Sequence, residues 1–180
     1  MQNLWRELRT GPQVPEVVYV IVEIPKGSRN KYEYQKVNGV IFLDRVLYSS
    51  MVYPGDYGLI PQTFYPDGDP LDILVMVTEP TFPGCIIQAR PIGVFYMLDR
   101  GEEDAKILAV PATDPAFNGY RDLSDVPQSY LNEVAHFFEV YKDLEGQRTK
   151  PIGWENAAAA KAEIESAISQ FKERFGLKEL

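Results

Sequence analysis

The sequence of 180 residues contains one cysteine and one histidine, Cys85 and His136. A single cysteine cannot form an internal disulfide, which is typical of proteins from a reducing compartment. An ordinary zinc site would also lack its usual cysteine and histidine ligands. No basic residue lies close to Cys85 in the sequence, so we expect a small packed residue rather than a nucleophile.

Long hydrophobic runs are also missing. The longest stretches without a charged residue span ten residues, for example Val46–Gly55, about half of what a membrane-spanning helix requires. The first ten residues contain no apolar stretch of the kind found in signal peptides. We therefore expect a soluble, cytoplasmic protein without a membrane partner.

Positive charge is in deficit, because 18 lysines and arginines face 26 aspartates and glutamates, which gives a net charge of −8. This balance argues against a nucleic-acid partner, which would need a basic surface. The sequence has neither a phosphate loop of the form G-x-x-x-x-G-K-[ST] nor a Ser-His-Asp signature. Phosphate-loop and serine-hydrolase chemistries are therefore not expected.

Glycine and proline predict a chain that begins with many short strands. The 13 glycines and 14 prolines lie mostly in the first two thirds, and Asn38-Gly39 predicts a hairpin turn. The predicted strands are Val17–Ile24, Lys31–Tyr34, Val40–Leu47, Leu71–Val77, Ile86–Leu98 with a break at Pro91, and Ala105–Val110. A closed or partly closed barrel would hide the edges of these strands.

Two helices are predicted after the strands. The first begins near Pro127, where a missing N–H is tolerated, and Gly146 is its expected stop. The second runs from about Asn156 to Phe175, with an apolar stripe at helical spacing. Strands followed by helices indicate an α+β fold with a mainly β core, which we expect to form one domain over residues 1–180.

The sharpest local motif is Asp67-Gly68-Asp69-Pro70-Leu71-Asp72, with three carboxylates in six residues directly before a predicted strand. Like charges packed this closely need a compensating cation or proton. An EF-hand is excluded because its positions 5, 6 and 12 would be Leu71, Asp72 and Thr78, between strand-like flanks. A solvated acidic turn remains the alternative.

A second acidic cluster covers Asp99–Lys106, in the loop between two predicted strands and at the start of the second. Taken alone, it is typical of a solvated hairpin tip. Two carboxylate loops that flank barrel strands could instead converge on a site for several cations. All-oxygen ligands favour hard ions, with Mg²⁺ first and Mn²⁺ or Ca²⁺ as competitors.

Basic and phenolic residues are interleaved with these acids. Lys31, Arg45 and Lys142 carry the charges, and Tyr53 and Tyr57 stand in a turn rich in proline and glycine. Fixed cations beside carboxylate-held metals suit a phosphate-rich anion. Each residue taken singly has a simpler interpretation, as a surface charge or as packing in the core.

Taken together, these motifs resemble the soluble, Mg²⁺-dependent inorganic pyrophosphatases. Asp67–Asp72 matches the D-x-D-P-x-D signature of that family, and further blocks agree in order and spacing. These blocks are Glu23–Pro25, Asn30–Glu33, Asp44-Arg45, Tyr53–Gly58, Gly101–Lys106, His136–Glu145 and Gly153-Trp154 before an alanine-rich helix. The resemblance extends from Val17 to Phe171.

The resemblance implies a five-stranded, OB-like closed barrel flanked by two long C-terminal helices. It implies hydrolysis of pyrophosphate to two orthophosphates by in-line attack of Mg²⁺-activated water, with Asp69 as general base. The implied metal ligands are Asp67, Asp72, Asp99, Asp104 and Glu23. The implied phosphate-binding groups are Lys31, Arg45, Tyr57, Lys106, Tyr141 and Lys142, and Glu33 and Tyr53 would line the site.

The resemblance also implies a homohexamer, as is common for bacterial members. Some bacterial relatives have a second histidine at the position of Val140, on the helix that carries His136 and contributes to subunit contacts. Its replacement here puts the detailed contacts between subunits in doubt.

Three other functions compete with this interpretation. A Mg²⁺-dependent hydrolase of another phosphoanhydride, such as a nucleotide or polyphosphate, would use the same acids and bases. An OB-fold module that binds oligonucleotides is disfavoured by the net charge of −8. A purely Ca²⁺-binding acidic protein would have no use for Arg45, Tyr57 and Lys142.

Overall fold

The computed structural model describes residues 3–176, so the first two and last four residues of the predicted domain lie outside it. The strands are β1 (Val18–Ile24), β2 (Asn30–Gln35), β3 (Val40–Val46), β4 (Asp56–Leu59), β5 (Asp72–Val75), β6 (Ile86–Asp99), β7 (Glu102–Pro111) and β8 (Thr149–Asn156). The α-helices are α1 (Leu4–Glu7), α2 (Gln128–Val140) and α3 (Ala157–Phe175).

Five strands pair in a closed ring. β1 pairs with β4 and β4 with β5 in antiparallel fashion, β5 runs parallel to β7, and β7 is antiparallel to β6. β6 then pairs with β1, which returns the ladder to its start. The predicted α+β class with a mainly β core is thus confirmed, and the ring has the five strands that the resemblance implies.

β2 and β3 form a separate two-stranded sheet beside this ring. The pair Gln35 and Val40 closes the hairpin, and Gly39 adopts a positive φ of 71° in its turn. The amide of Gly39 donates to the carbonyl of Gln35 at 2.8 Å. The turn predicted at Asn38-Gly39 is therefore confirmed.

The two long helices also lie close to where the sequence places them. Asn156 caps α3 by accepting from the amide of Ala159, and Gly176 follows its last residue. α2 follows Pro127 and ends at Val140, earlier than the predicted stop. A single 3-10 turn then leads to Gly146, whose left-handed backbone ends it.

Two strands were not predicted. β8 lies between the two helices and pairs with β6, so the expected order of strands first and helices afterwards is wrong at this point. Pro151 and Gly153 interrupt β8, which removes the regular alternation that marks a strand. β4 begins at Asp56 and includes Gly58, in a segment whose glycines and proline favour a turn.

The helices cover different apolar faces of the sheet. Ala160, Ile164 and Ala167 of α3 pack against a cluster that includes Val18 and Ile73. α2 contributes a second cluster, in which Phe137 and Phe138 pack with Phe95, Leu108 and Met97. The second cluster continues into two tyrosines, Tyr53 and Tyr57, which line a polar cavity described below. Among the described helices, none has the length and apolar character needed to cross a membrane.

Close approach of β1 and β4 makes Gly58 a sensitive position. A Cβ at Gly58 would lie 2.0 Å from the carbonyl oxygen of Ile21 on the neighbouring strand. We expect Gly58→Ala to lower the free energy of unfolding by about 2 kcal/mol or more, because backbone atoms must move to relieve the overlap. Urea unfolding measures this change. Gly119→Ala is the control, since nothing lies within 4 Å of its added Cβ, and equal stability of the two variants would contradict the prediction.

Candidate active site

Neighbouring strands bring the two acidic motifs together. Asp72 begins β5, and it pairs in parallel register with Lys106 of β7. Side chains two residues apart on a strand share a face, so Asp104 and Lys106 point the same way. The loop that carries Asp67 and Asp69 leads directly into β5. The convergence of the two carboxylate loops follows from this pairing.

A cavity of about 260 Å³ gathers nearly all of the predicted site residues. Thirteen of the fourteen line it, namely Glu23, Lys31, Glu33, Tyr53, Tyr57, Asp67, Asp69, Asp72, Asp99, Asp104, Lys106, Tyr141 and Lys142. Lys36 also lines the cavity and was not predicted. Seven carboxylates therefore face four ammonium groups, and the excess of negative charge suits a cation.

Arg45 is the predicted site residue that does not line this cavity. It lines an adjoining cavity of about 340 Å³, which shares Lys31, Glu33 and Lys142 with the first. Its guanidinium donates to both carboxylate oxygens of Glu145, from Nε at 3.0 Å and from Nη2 at 2.8 Å, and it also pairs with Asp44. The hydrogen bonds from Arg45 to Glu145 raise its pKa further above its ordinary value.

The deepest charged group is Lys106, which is 5% exposed. Its Nζ contacts Asp72 Oδ2 at 2.5 Å and Asp104 Oδ2 at 2.8 Å, and the hydroxyl of Tyr57 donates to Asp72 Oδ2 at 2.6 Å. Burial disfavours the charge on Lys106, but Asp72, Tyr57 and Asp104 outweigh it and hold its pKa well above the usual value. One ammonium group thus pairs with two carboxylates at the bottom of the cavity.

A second ion pair lies where α2 ends. Lys142 Nζ donates to Asp99 Oδ2 at 2.6 Å, and both side chains are largely buried. The other oxygen, Asp99 Oδ1, is buried without a hydrogen-bond partner among residues 3–176. A buried carboxylate oxygen without a partner is costly unless a further donor or cation satisfies it.

Glu23, Asp67 and Asp104 have raised pKa values because they are withdrawn from water near other carboxylates. Burial, and then the charge of Asp72, raise the pKa of Glu23 to about 8, although the amide of Tyr34 donates to its Oε1 at 2.6 Å. Partial burial raises the pKa of Asp67 to about 6. Burial also raises the pKa of Asp104, against the charge of Lys106. These shifts indicate a site that gains free energy when a cation enters.

Tyr53 and Tyr57 belong to the core and also line the cavity. Tyr53 is 1% exposed, and its ring lies 4.8 Å from that of Phe137 and 5.4 Å from that of Tyr57, so it is part of the core. Both residues also line the cavity. Burial raises the pKa of each phenol well above its usual value, which keeps each hydroxyl protonated.

Asp69 lies at the exposed rim of the cavity. Its amide donates to Asp67 Oδ1 at 2.9 Å, and its carboxylate pairs with the Nζ of Lys36. Lys36 carries no motif in the sequence, where it is a single charge before a hairpin turn. Its place in the site depends on how the hairpin of β2 and β3 lies against the acidic loop.

Metal binding has support from the chemistry of the donors rather than from a preformed cage. Within residues 3–176, no three carboxylate, imidazole or thiol groups converge closely enough to hold a metal ion between them. Lysines pair with Asp69, Asp72, Asp99 and Asp104. The excess of carboxylates and the unpartnered Asp99 Oδ1 nevertheless fit a hard divalent cation, which takes oxygen ligands.

Comparison with known proteins gives a consistent result. The family model for inorganic pyrophosphatase matches residues 20–172. The inorganic pyrophosphatase of Haloferax volcanii is 50% identical over 176 residues, which cover 97% of this chain and 99% of the relative. That of Geobacillus stearothermophilus is 52% identical over 159 residues, or 88% of this chain and 96% of the relative.

A solved structure agrees with these sequence matches. The inorganic pyrophosphatase of Thermus thermophilus superposes with a TM-score of 0.91 at 44% identity, and the match covers 95% of this chain and 99% of that one. The chain belongs to the inorganic pyrophosphatase family.

Proposed function

We propose that this protein hydrolyses inorganic pyrophosphate to two orthophosphates. The observation that carries the proposal is the cavity of about 260 Å³, in which seven carboxylates and four lysines converge in a chain of this family. Carboxylates alone would repel an anionic substrate, and lysines alone would need no metal. The combination suits a substrate that enters together with divalent cations.

The metal ligands in this proposal are Glu23, Asp67, Asp72, Asp99 and Asp104. The all-oxygen donor set favours Mg²⁺, with Mn²⁺ as a substitute. When bound, such ions screen the charge of the substrate and lower the pKa of the attacking water. Support comes from the partnerless Asp99 Oδ1 and from the raised pKa values of Glu23 and Asp67.

The substrate phosphates would be held by Lys31, Lys106, Tyr57, Tyr141 and Lys142. Lysine supplies a point charge, and a protonated phenol donates one hydrogen bond to a phosphate oxygen. The hydroxyl of Tyr57 donates to Asp72 Oδ2 in this structure and would have to turn from it to the phosphate. Donors that are already fixed in a buried site need little rearrangement as charge develops on the transferred phosphoryl group. Lys106 and Lys142 are 5% and 8% exposed, which supports this role.

Arg45 has a conditional place in substrate binding. Its guanidinium is held by Glu145 in the adjoining cavity, so contact with a phosphate requires it to leave that partner. A dianionic phosphate competes well with the carboxylate of Glu145. Phosphate and carboxylate oxygens both accept paired, charge-assisted hydrogen bonds from a guanidinium. Glu33 and Tyr53 line the site beside these groups.

Asp69 is the proposed general base. Its side chain is 58% exposed, so water reaches it, and its Oδ1 is the oxygen that pairs with Lys36. The second oxygen, Oδ2, would accept the proton from the attacking water. The chemical step is the in-line displacement of one phosphate by this water, and the proton passes to Asp69.

We also propose that the chain forms one domain and assembles as a homohexamer in the cytoplasm. His136 is exposed and Val140 is half-buried one turn later on α2. The exposed His136 is available for the contacts between subunits that the family resemblance implies for α2. Sedimentation equilibrium of the full chain measures the assembly directly.

Removal of the metal is expected to abolish the reaction. Phosphate release from pyrophosphate should be fast with Mg²⁺ and should fall to background with EDTA, because the carboxylates then repel the substrate. ATP and tripolyphosphate serve as competing substrates in the same assay. Faster release from either one would assign another phosphoanhydride to this site, and release that survives EDTA would contradict the metal requirement.

A further inference from the structure

The hairpin of β2 and β3 is tied to the acidic loop through one side chain. At the start of the hairpin turn, Lys36 Nζ donates to the carbonyl of Gly68 at 3.0 Å and pairs with Asp69 Oδ1. The two contacts reach adjacent residues of the loop from outside the ring of strands. Lys36 therefore bridges two parts of the chain that no strand ladder connects.

The backbone that carries Lys36 is itself fixed. Asn3 Nδ2 donates to the carbonyl of Lys36 at 2.7 Å, and the hydroxyl of Tyr34 donates to Asn3 Oδ1 at 3.2 Å. The amide of Trp5, which is 2% exposed, donates to the same hydroxyl at 3.3 Å. These bonds place Lys36 on a support built from the N-terminal segment and β2.

Asp69 has a fixed backbone but an exposed side chain. Its amide donates to Asp67 Oδ1 at 2.9 Å, and its carbonyl accepts from the amide of Tyr65 at 2.7 Å. In the described part of the chain, the ion-pair partner of its carboxylate is Lys36. A carboxylate that is 58% exposed would otherwise rotate among its rotamers.

We propose that Lys36 is a positioning residue for Asp69. By engaging Oδ1, it fixes the plane of the carboxylate and leaves Oδ2 to take the proton of the attacking water. The inference rests on the proposed function, in which Asp69 is the general base. Lys36 itself acts through Asp69 and need not touch the substrate.

Exposure separates this role from a contribution to folding. The side chains of Lys36 and Asp69 are 37% and 58% exposed, and ion pairs at such positions add little to stability. Misplacement of a reacting group by about 1 Å costs about a hundredfold in rate. Loss of Lys36 should therefore lower kcat strongly and change the free energy of unfolding only slightly.

The test uses Lys36→Met, which keeps the aliphatic stem and removes the charge. We expect kcat for pyrophosphate to fall about ten- to a hundredfold while KM stays within about twofold. Lys36→Arg should restore most of the rate because it returns a donor to Asp69. Lys161→Met is the matched control. Lys161 lies on α3, outside the cavity, and its Nζ pairs with Glu16 Oε2 at 2.6 Å.

Hydrogen exchange of the metal-free protein provides a readout that does not depend on activity. Peptides that cover Tyr65–Leu71 should exchange faster in Lys36→Met than in the parent, and Lys161→Met should leave them unchanged. Unchanged kcat in Lys36→Met would overturn the inference. A higher KM with unchanged kcat would also overturn it, because Lys36 would then bind substrate. An inactive parent would instead refute the proposed function.

Discussion

Asp69→Asn is expected to lower kcat for pyrophosphate hydrolysis by about 10²- to 10⁴-fold, which is the usual contribution of a general base. Asparagine has nearly the same shape as aspartate, and its carbonyl can still accept from Lys36. It cannot take up the proton of the attacking water. Phosphate release at saturating Mg²⁺ and substrate measures the change.

The controls separate the loss of a base from the loss of a charge. Asp114→Asn removes a carboxylate that accepts from Thr78 at 2.9 Å and lies outside the cavity, so it should keep the parent rate. Asp69 is 58% exposed, so Asp69→Asn should leave the urea unfolding curve nearly unchanged. Calorimetry should also find Mg²⁺ affinity within a few fold of the parent, because Asp69 is not among the proposed metal ligands.

A rate that survives in Asp69→Asn would move the base to another carboxylate. Glu23 and Asp67 would be the next to test, because both line the cavity. A loss of both activity and Mg²⁺ binding would instead make Asp69 a metal ligand. Each result therefore assigns a different role to Asp69.

The acidic loop was open to prediction because its residues are neighbours in the sequence. Three carboxylates between Asp67 and Asp72, stiffened by Gly68 and Pro70, indicate cation chemistry before any fold is known. Convergence with Asp99, Glu23 and Lys142 was different. It depends on pairing of β1, β5, β6 and β7 over long separations. The motifs left convergence of the two acidic loops as one of two alternatives, and the family resemblance favoured it.

Two partners of the site were missed for the same physical reason. Lys36 and Glu145 each have the sequence context of a surface charge, and neither belongs to a periodic pattern. Glu145 is 34 residues beyond the end of β7, yet its side chain is 6% exposed and binds Arg45 across 100 residues of sequence. Contacts of this kind depend on how the hairpin of β2 and β3 packs against the rest of the chain. Local sequence does not specify that packing.

Strand boundaries show a related limit. β8 and β4 escaped prediction because Pro151, Gly153 and Gly58 carry the local signals of turns. In the folded chain these segments gain ladder hydrogen bonds from β6 and β1 that outweigh their weak strand preference. Pairing with neighbouring strands therefore determined the structure of β4 and β8, where the local sequence has a weak preference for strand.

Lys106→Met is expected to destabilise the metal-free protein by about 3 kcal/mol and to reduce hydrolysis strongly. The substitution removes an ammonium group that is 5% exposed and contacts both Asp72 and Asp104. Removing one partner of a buried ion pair leaves the other charge uncompensated, which is the costly case. Two adjacent carboxylates are left here, and both belong to the excess of negative charge in the cavity.

Urea unfolding in EDTA and in Mg²⁺ tests this prediction and the cation requirement together. In EDTA, Lys106→Met should unfold at a lower urea concentration than both the parent and Lys161→Met. Mg²⁺ should recover part of the difference, because a cation that binds the folded state stabilises it and compensates Asp72 and Asp104. Activity should stay low even then, since a proposed phosphate-binding charge is gone. Equal stability of Lys106→Met and the parent in EDTA would show that these carboxylates do not depend on Lys106, and a deficit unaffected by Mg²⁺ would argue against cation binding beside them.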